Sequence, residues 1–77
     1  MEEKVWKVLN GINPKISQDT EVDLLEEGLI DSFQIVNVVM ELENAFEIEI
    51  DPDFIIPSNF KSISSIAKLI DNILKEA

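Results

Sequence analysis

Residues 24–46 read LLEEGLIDSFQIVNVVMELENAF, and the fold follows from how their apolar side chains divide around a helix. At about 100° per residue, a helix from about Ser32 to Phe46 puts Ile35, Val38, Val39, Leu42, Ala45 and Phe46 on one side. That face is expected to enter a core. Phe33, Val36 and Met40 fall on the opposite side with Asn37 and Asn44, edged by Glu41 on one flank and by Glu43 and Glu47 on the other. A helix buried on both sides would also produce two apolar stripes. Acids and amides, however, are rarely buried without partners. The second stripe is therefore expected to stay exposed, and an apolar stripe rimmed by carboxylates reads as a docking surface. Met40 suits that use, because a flexible thioether adapts to more than one partner.

Outward from this segment, two further helices are expected. Val5, Val8, Leu9 and Ile12 recur at helical spacing, with Glu2 and Glu3 near the positive end and Gly11, Asn13 and Pro14 closing the element. Near the other end, Ser62 is placed to cap a helix whose apolar face is Ile63, Ile66, Ala67, Ile70, Ile73 and Leu74. Between the first two helices, Asn13 to Ile30 lacks helical periodicity and is long for a loop. Val22, Leu24, Leu25, Leu29 and Ile30 are expected to pin it, and Gly28 to turn it into the next helix. Pro52 and Pro57 limit any helix between Ile48 and Phe60 to something short or irregular. The expected fold is all-α: a small antiparallel bundle of three main helices plus a short irregular fourth between the second and the last, as one domain over residues 1–77.

Composition excludes much chemistry. With no Cys and no His among 77 residues, disulfides, thiolate nucleophiles, imidazole bases and the usual zinc sites are absent. No metal site and no catalysis by this chain alone are expected. No apolar run resembles a signal peptide or a membrane span, so the expected location is cytoplasmic, without membrane insertion. The net charge is −10, and residues 16–60 hold twelve acids and no base. Such a field disfavours nucleic acid and anionic membrane as partners. It favours a partner with a basic patch, and it opposes self-association, so a monomer is expected.

Asp31 and Ser32 begin the two-faced helix. Both residue types cap helices well, and Asp31 with Gln34 makes a capping-box pattern. A hydroxyl at this point is also where a covalently attached phosphate is favoured by free N–H groups and the helix dipole. No neighbouring His or Lys could activate Ser32 as a nucleophile. It is better read as a residue that becomes modified, beside the stripe of Phe33, Val36 and Met40.

Segment 24–46 resembles the modification loop and second helix of the acyl carrier protein family, and the likeness in order of elements extends over the whole chain. The resemblance implies that a phosphopantetheinyl transferase moves 4′-phosphopantetheine from coenzyme A onto Ser32, preceded by the family's Asp at Asp31. The arm's thiol then holds acyl or aminoacyl groups as thioesters, so the reactive sulfur belongs to the prosthetic group. It further implies partners with basic docking patches: an acyl- or aminoacyl-loading ligase and downstream acyltransferases. These are expected to meet Phe33, Val36, Asn37, Met40, Glu41, Glu43 and Glu47. Ile35, Leu42, Phe46 and Ile66 stand where an acyl pocket forms in many members. Departures are Phe33 where leucine or methionine is usual, Asn37 and Asn44 in place of acids common in fatty-acid-synthesis members, and the Pro57-containing stretch. The GLIDSF form is similar to D-alanyl carrier proteins and to stand-alone carriers of specialised pathways. The pathway is left open among fatty-acid, envelope-lipid and specialised biosynthesis.

Two rival readings compete with this one. A non-enzymatic acidic interaction protein, either a nucleic-acid mimic or a regulator, accounts for the charge but leaves GLIDSF and the second stripe without a purpose. A calcium loop starting at Asp51 fails, because its sixth position is not Gly and its twelfth is Ser62.

Overall fold

A computed structural model describes residues 1–76. Their order is α1 (Glu2–Ile12), α2 (Gln34–Phe46), a 3-10 turn (Pro52–Phe54), α3 (Pro57–Phe60) and α4 (Ile63–Glu76). Among the described residues there is no strand. Helix α1 packs against both α2 and α4, and α3 packs against α4. The all-helical bundle with a short fourth helix between the second and the last is therefore what forms.

The three long helices bury the stripes their periodicity marks. Val5 and Leu9 of α1, Val38 and Leu42 of α2, and Ile63, Ile66 and Ile70 of α4 are each 0% exposed. Ile35 and Val39 are also buried, whereas Ala45 and Phe46 are only half-buried at the end of α2. The face expected for α4 needs one correction. Leu74 is exposed and Leu69 is buried, and the last turn of α4 is exposed apart from a half-buried Ile73. Ser62 is the α4 cap: its hydroxyl accepts the Ser65 N–H at 3.1 Å and donates to Ser65 Oγ at 3.0 Å, itself buried.

The long connection 13–33 is irregular but anchored at several points. Ile16, Leu24 and Ile30 are buried in the core, with Leu25 and Leu29 packed against it. The Trp6 indole N–H donates to the Ile16 carbonyl at 3.0 Å, and the Ser64 N–H donates to the Thr20 carbonyl at 3.0 Å. The Leu24 N–H donates to the Lys61 carbonyl. Backbone groups a loop would otherwise leave to water are thus paired with α1 and the start of α4. Asp23 starts a turn by accepting the Leu25 and Glu26 N–H groups at 3.1 and 3.0 Å. The turn ends at Gly28, whose φ is 71°. No neighbouring atom crowds a Cβ there, so the cost of a side chain is that of the left-handed backbone alone. Gly28→Ala is expected to lower stability by about 1 kcal/mol, read as a fall in denaturation midpoint at constant m-value.

The stretch after α2 is irregular for the reason its prolines give. Pro52 and Pro57 each sit in the first turn of a short element, where a missing N–H costs nothing. Asp51 caps the first of them by accepting the Asp53 N–H at 2.9 Å. Ile50 and Phe60 are buried at either end of this stretch.

Candidate functional site

The site is the junction between the long connection and α2. The Leu24 carbonyl accepts both the Leu29 and the Ile30 N–H, at 2.9 and 3.1 Å, and the Asn13 amide donates to the Leu29 carbonyl at 2.9 Å. With Ile30 only 1% exposed, the chain arrives at Asp31 from a fixed direction. Asn13 reads in sequence only as a residue that ends α1; its side chain reaches across sixteen positions to hold this loop.

Asp31 and Gln34 form the reciprocal box their spacing suggests. The Asp31 carboxylate accepts the Gln34 N–H at 2.8 Å, and the Gln34 side-chain oxygen accepts the Asp31 N–H at 3.1 Å. The Asp31 carbonyl takes the Gln34 and Ile35 N–H groups as well. Regular helix begins at Gln34, two residues later than the expected start at Ser32, because Ser32 and Phe33 form the tight first turn under this cap. The consequence for Ser32 is chemical. Capping is done by Asp31, so the exposed Ser32 hydroxyl is not needed to hold the helix. Ser62 shows the opposite arrangement, buried and committed to its cap.

Along α2, Phe33, Val36 and Met40 are 86%, 60% and 55% exposed. The helix is therefore buried on one side only. Asn37, Glu41, Asn44 and Glu47 are exposed around the stripe, with Glu47 in the left-handed conformation that ends α2. Glu43 differs. It is half-buried, and its carboxylate accepts the Ile50 N–H at 2.8 Å. The four side chains placed by resemblance at an acyl pocket belong to the core or its edge. Ile35, Leu42 and Ile66 are buried, and Phe46 is half-buried beneath the Lys4 ammonium, which lies 4.7 Å from its ring centre. Among the described residues no cluster of three or more Asp or Glu side chains is placed to hold a metal ion, and no helix is long and apolar enough to cross a membrane.

An exposed serine at the head of a helix, relieved of capping and set beside an exposed apolar stripe, fits covalent attachment of a phosphate-linked group. Comparison with known proteins bears on the same point. The family model described as "Phosphopantetheine attachment site" matches residues 4–70. The chain belongs to this family. It is thus an acyl carrier protein family member that holds thioesters on covalently attached 4′-phosphopantetheine. Relatives of this carrier include a D-alanyl carrier protein of Lactococcus lactis subsp. cremoris, 29% identical over 69 residues that cover 87% of each chain. Another, from Lactococcus lactis subsp. lactis, is 28% identical with the same coverage. A D-alanyl carrier protein of Staphylococcus saprophyticus is 46% identical over 35 residues, covering 46% of this chain and 45% of that one. No solved structure gives a significant match. An acidic mimic with no prosthetic group, the rival reading of the charge, has no place in this family.

Proposed function

We propose that Ser32 is the residue that takes the arm and that the cargo is a small aminoacyl group of the D-alanyl class. The observation carrying the first part is the division of labour at the head of α2: Asp31 caps, and Ser32 is left exposed. The 4′-phosphopantetheine group would be held there through a phosphodiester to Ser32 Oγ, with the helix end favouring the phosphate charge. When bound it supplies a thiol, the one nucleophilic sulfur in a chain without Cys. The chain itself orients the arm and performs no bond-making step. For the cargo, support comes from the D-alanyl carrier relatives. It also comes from the burial of two side chains that the resemblance places at an acyl pocket, Leu42 and Ile66, each 0% exposed.

Partners are a phosphopantetheinyl transferase, a ligase that activates the amino acid with ATP, and an acyltransferase that removes it. They dock on Phe33, Val36 and Met40 through apolar contact and meet Asn37, Glu41 and Glu47 at the rim with basic side chains. The carrier works as a monomer in the cytoplasm, its net charge of −10 opposing self-association. Met40→Glu puts a carboxylate into the apolar stripe. It is expected to lower kcat/KM for the transferase about tenfold with an unchanged thermal midpoint, because Met40 is already largely exposed. The cargo is tested by offering the arm-bearing protein to a D-alanine-activating ligase with ATP and, separately, to a fatty-acid-activating ligase. Mass gain of one alanyl group with the first alone supports the reading, and gain with the second alone contradicts it.

A further inference from the structure

Glu43 stands apart from the other acids of α2. Turned at about 100° per residue, it sits within about 20° of Ser32 on the helix, about three turns further on. Its position on the wheel marks it as an outward-facing rim acid. In the structure it is half-buried, and its carboxylate accepts the Ile50 N–H at 2.8 Å. Its backbone carbonyl is occupied in the same place, accepting the Glu47 N–H that ends α2 and the Ile48 N–H at 3.2 Å. One residue therefore ties down three successive points of the connection leaving α2. The last of them, Ile50, is 5% exposed and belongs to the core, and Ile48 packs against it.

We infer that Glu43 is a latch: by holding Ile50 it keeps the edge of the core beside α2 shut to the cargo on the arm. This rests on the reading that the arm is attached at Ser32. Glu43 is then a positioning residue acting through Ile50, and its carboxylate is not one of those offered to partners. The bond from the Ile50 N–H to the Glu43 side-chain oxygen must break before residues 48–50 can leave the core, and breaking it would leave a buried donor unpaired. The latch needs an acceptor oxygen and not a charge. The side-chain oxygen of glutamine can accept the same N–H, whereas alanine offers nothing.

Two readouts on wild type, E43Q and E43A test this. The first is amide hydrogen exchange at Ile50 in the unloaded chain, which does not depend on the arm. It is expected to be about tenfold or more faster in E43A than in wild type and close to wild type in E43Q. The second uses protein loaded by a phosphopantetheinyl transferase with octanoyl-coenzyme A, the thioester then being cleaved with hydroxylamine. Cleavage is expected to be several-fold slower in E43A, where the chain gains access to the core, and unchanged in E43Q. Unchanged Ile50 exchange in E43A overturns the latch. Faster exchange with equal thioester cleavage in all three overturns the control of cargo. E43Q behaving like E43A assigns the effect to charge and overturns the inference. If wild type takes no arm at all, the Ser32 reading fails, while the exchange result still decides the latch.

Discussion

Ser32→Ala is expected to abolish attachment of the arm and to leave the fold intact. Incubated with coenzyme A, magnesium and a phosphopantetheinyl transferase, the parent chain should gain the mass of one arm and the variant none. The loss is expected to be complete, because a phosphodiester cannot form on alanine. The fold should not notice the change. The cap of α2 is the Asp31 carboxylate on the Gln34 N–H, and an exposed side chain outside the core is usually worth less than about 0.5 kcal/mol. Asp31→Ala is expected to give the reverse pattern: the hydroxyl stays and the cap goes, at a cost of about 1 kcal/mol. An unchanged thermal midpoint for Ser32→Ala, measured beside the mass, separates a missing acceptor from a missing fold.

Phe60→Ala has the largest expected effect on stability. Phe60 is 0% exposed and among the largest side chains buried in the core, and truncating such a ring costs about 3–5 kcal/mol. A chain of this length has only about 4–12 kcal/mol of stability in total. The thermal midpoint should fall by about 15 °C or more. The damage is not confined to α3. The next residue, Lys61, offers its carbonyl to the Leu24 N–H, and the Ser64 N–H pairs with Thr20. The connection that delivers Asp31 and Ser32 is thus moored to the segment Phe60 anchors. Thermal unfolding followed by circular dichroism checks the magnitude. Transferase turnover at a temperature where the variant has begun to unfold should fall with the folded fraction.

The parts of this molecule that repeat with a period announce themselves. Val5 and Leu9, Val38 and Leu42, and Ile63, Ile66 and Ile70 recur at helical spacing, and all are fully buried. The second stripe of α2 is readable for the same reason, since Phe33, Val36 and Met40 recur among acids and amides. Local pairs are readable as well: Asp31 and Gln34 stand three residues apart, and their box is a matter of short-range geometry. What escapes are contacts between segments without a period. Ile16, Ile50 and Phe60 are isolated apolar residues among prolines, acids and polar side chains. Nothing in their neighbours says that the bundle closes over them. Glu43 escapes because a helical wheel assigns it to the rim, and only the path of residues 47–50 brings an N–H to its carboxylate. Leu74 is exposed against expectation in the open last turn of α4, and Leu69, which the expected face did not include, is buried.

The chain has six serines, Ser17, Ser32, Ser58, Ser62, Ser64 and Ser65, and the proposed function requires that Ser32 hold the arm. The deciding measurement is fragmentation of the intact arm-bearing protein in a mass spectrometer, locating the added group along the backbone. Fragments ending before Ser32 are expected to carry no added mass, and those extending through it one arm. An arm located on any of the other five serines, or no arm on a folded chain offered several transferases, would contradict it.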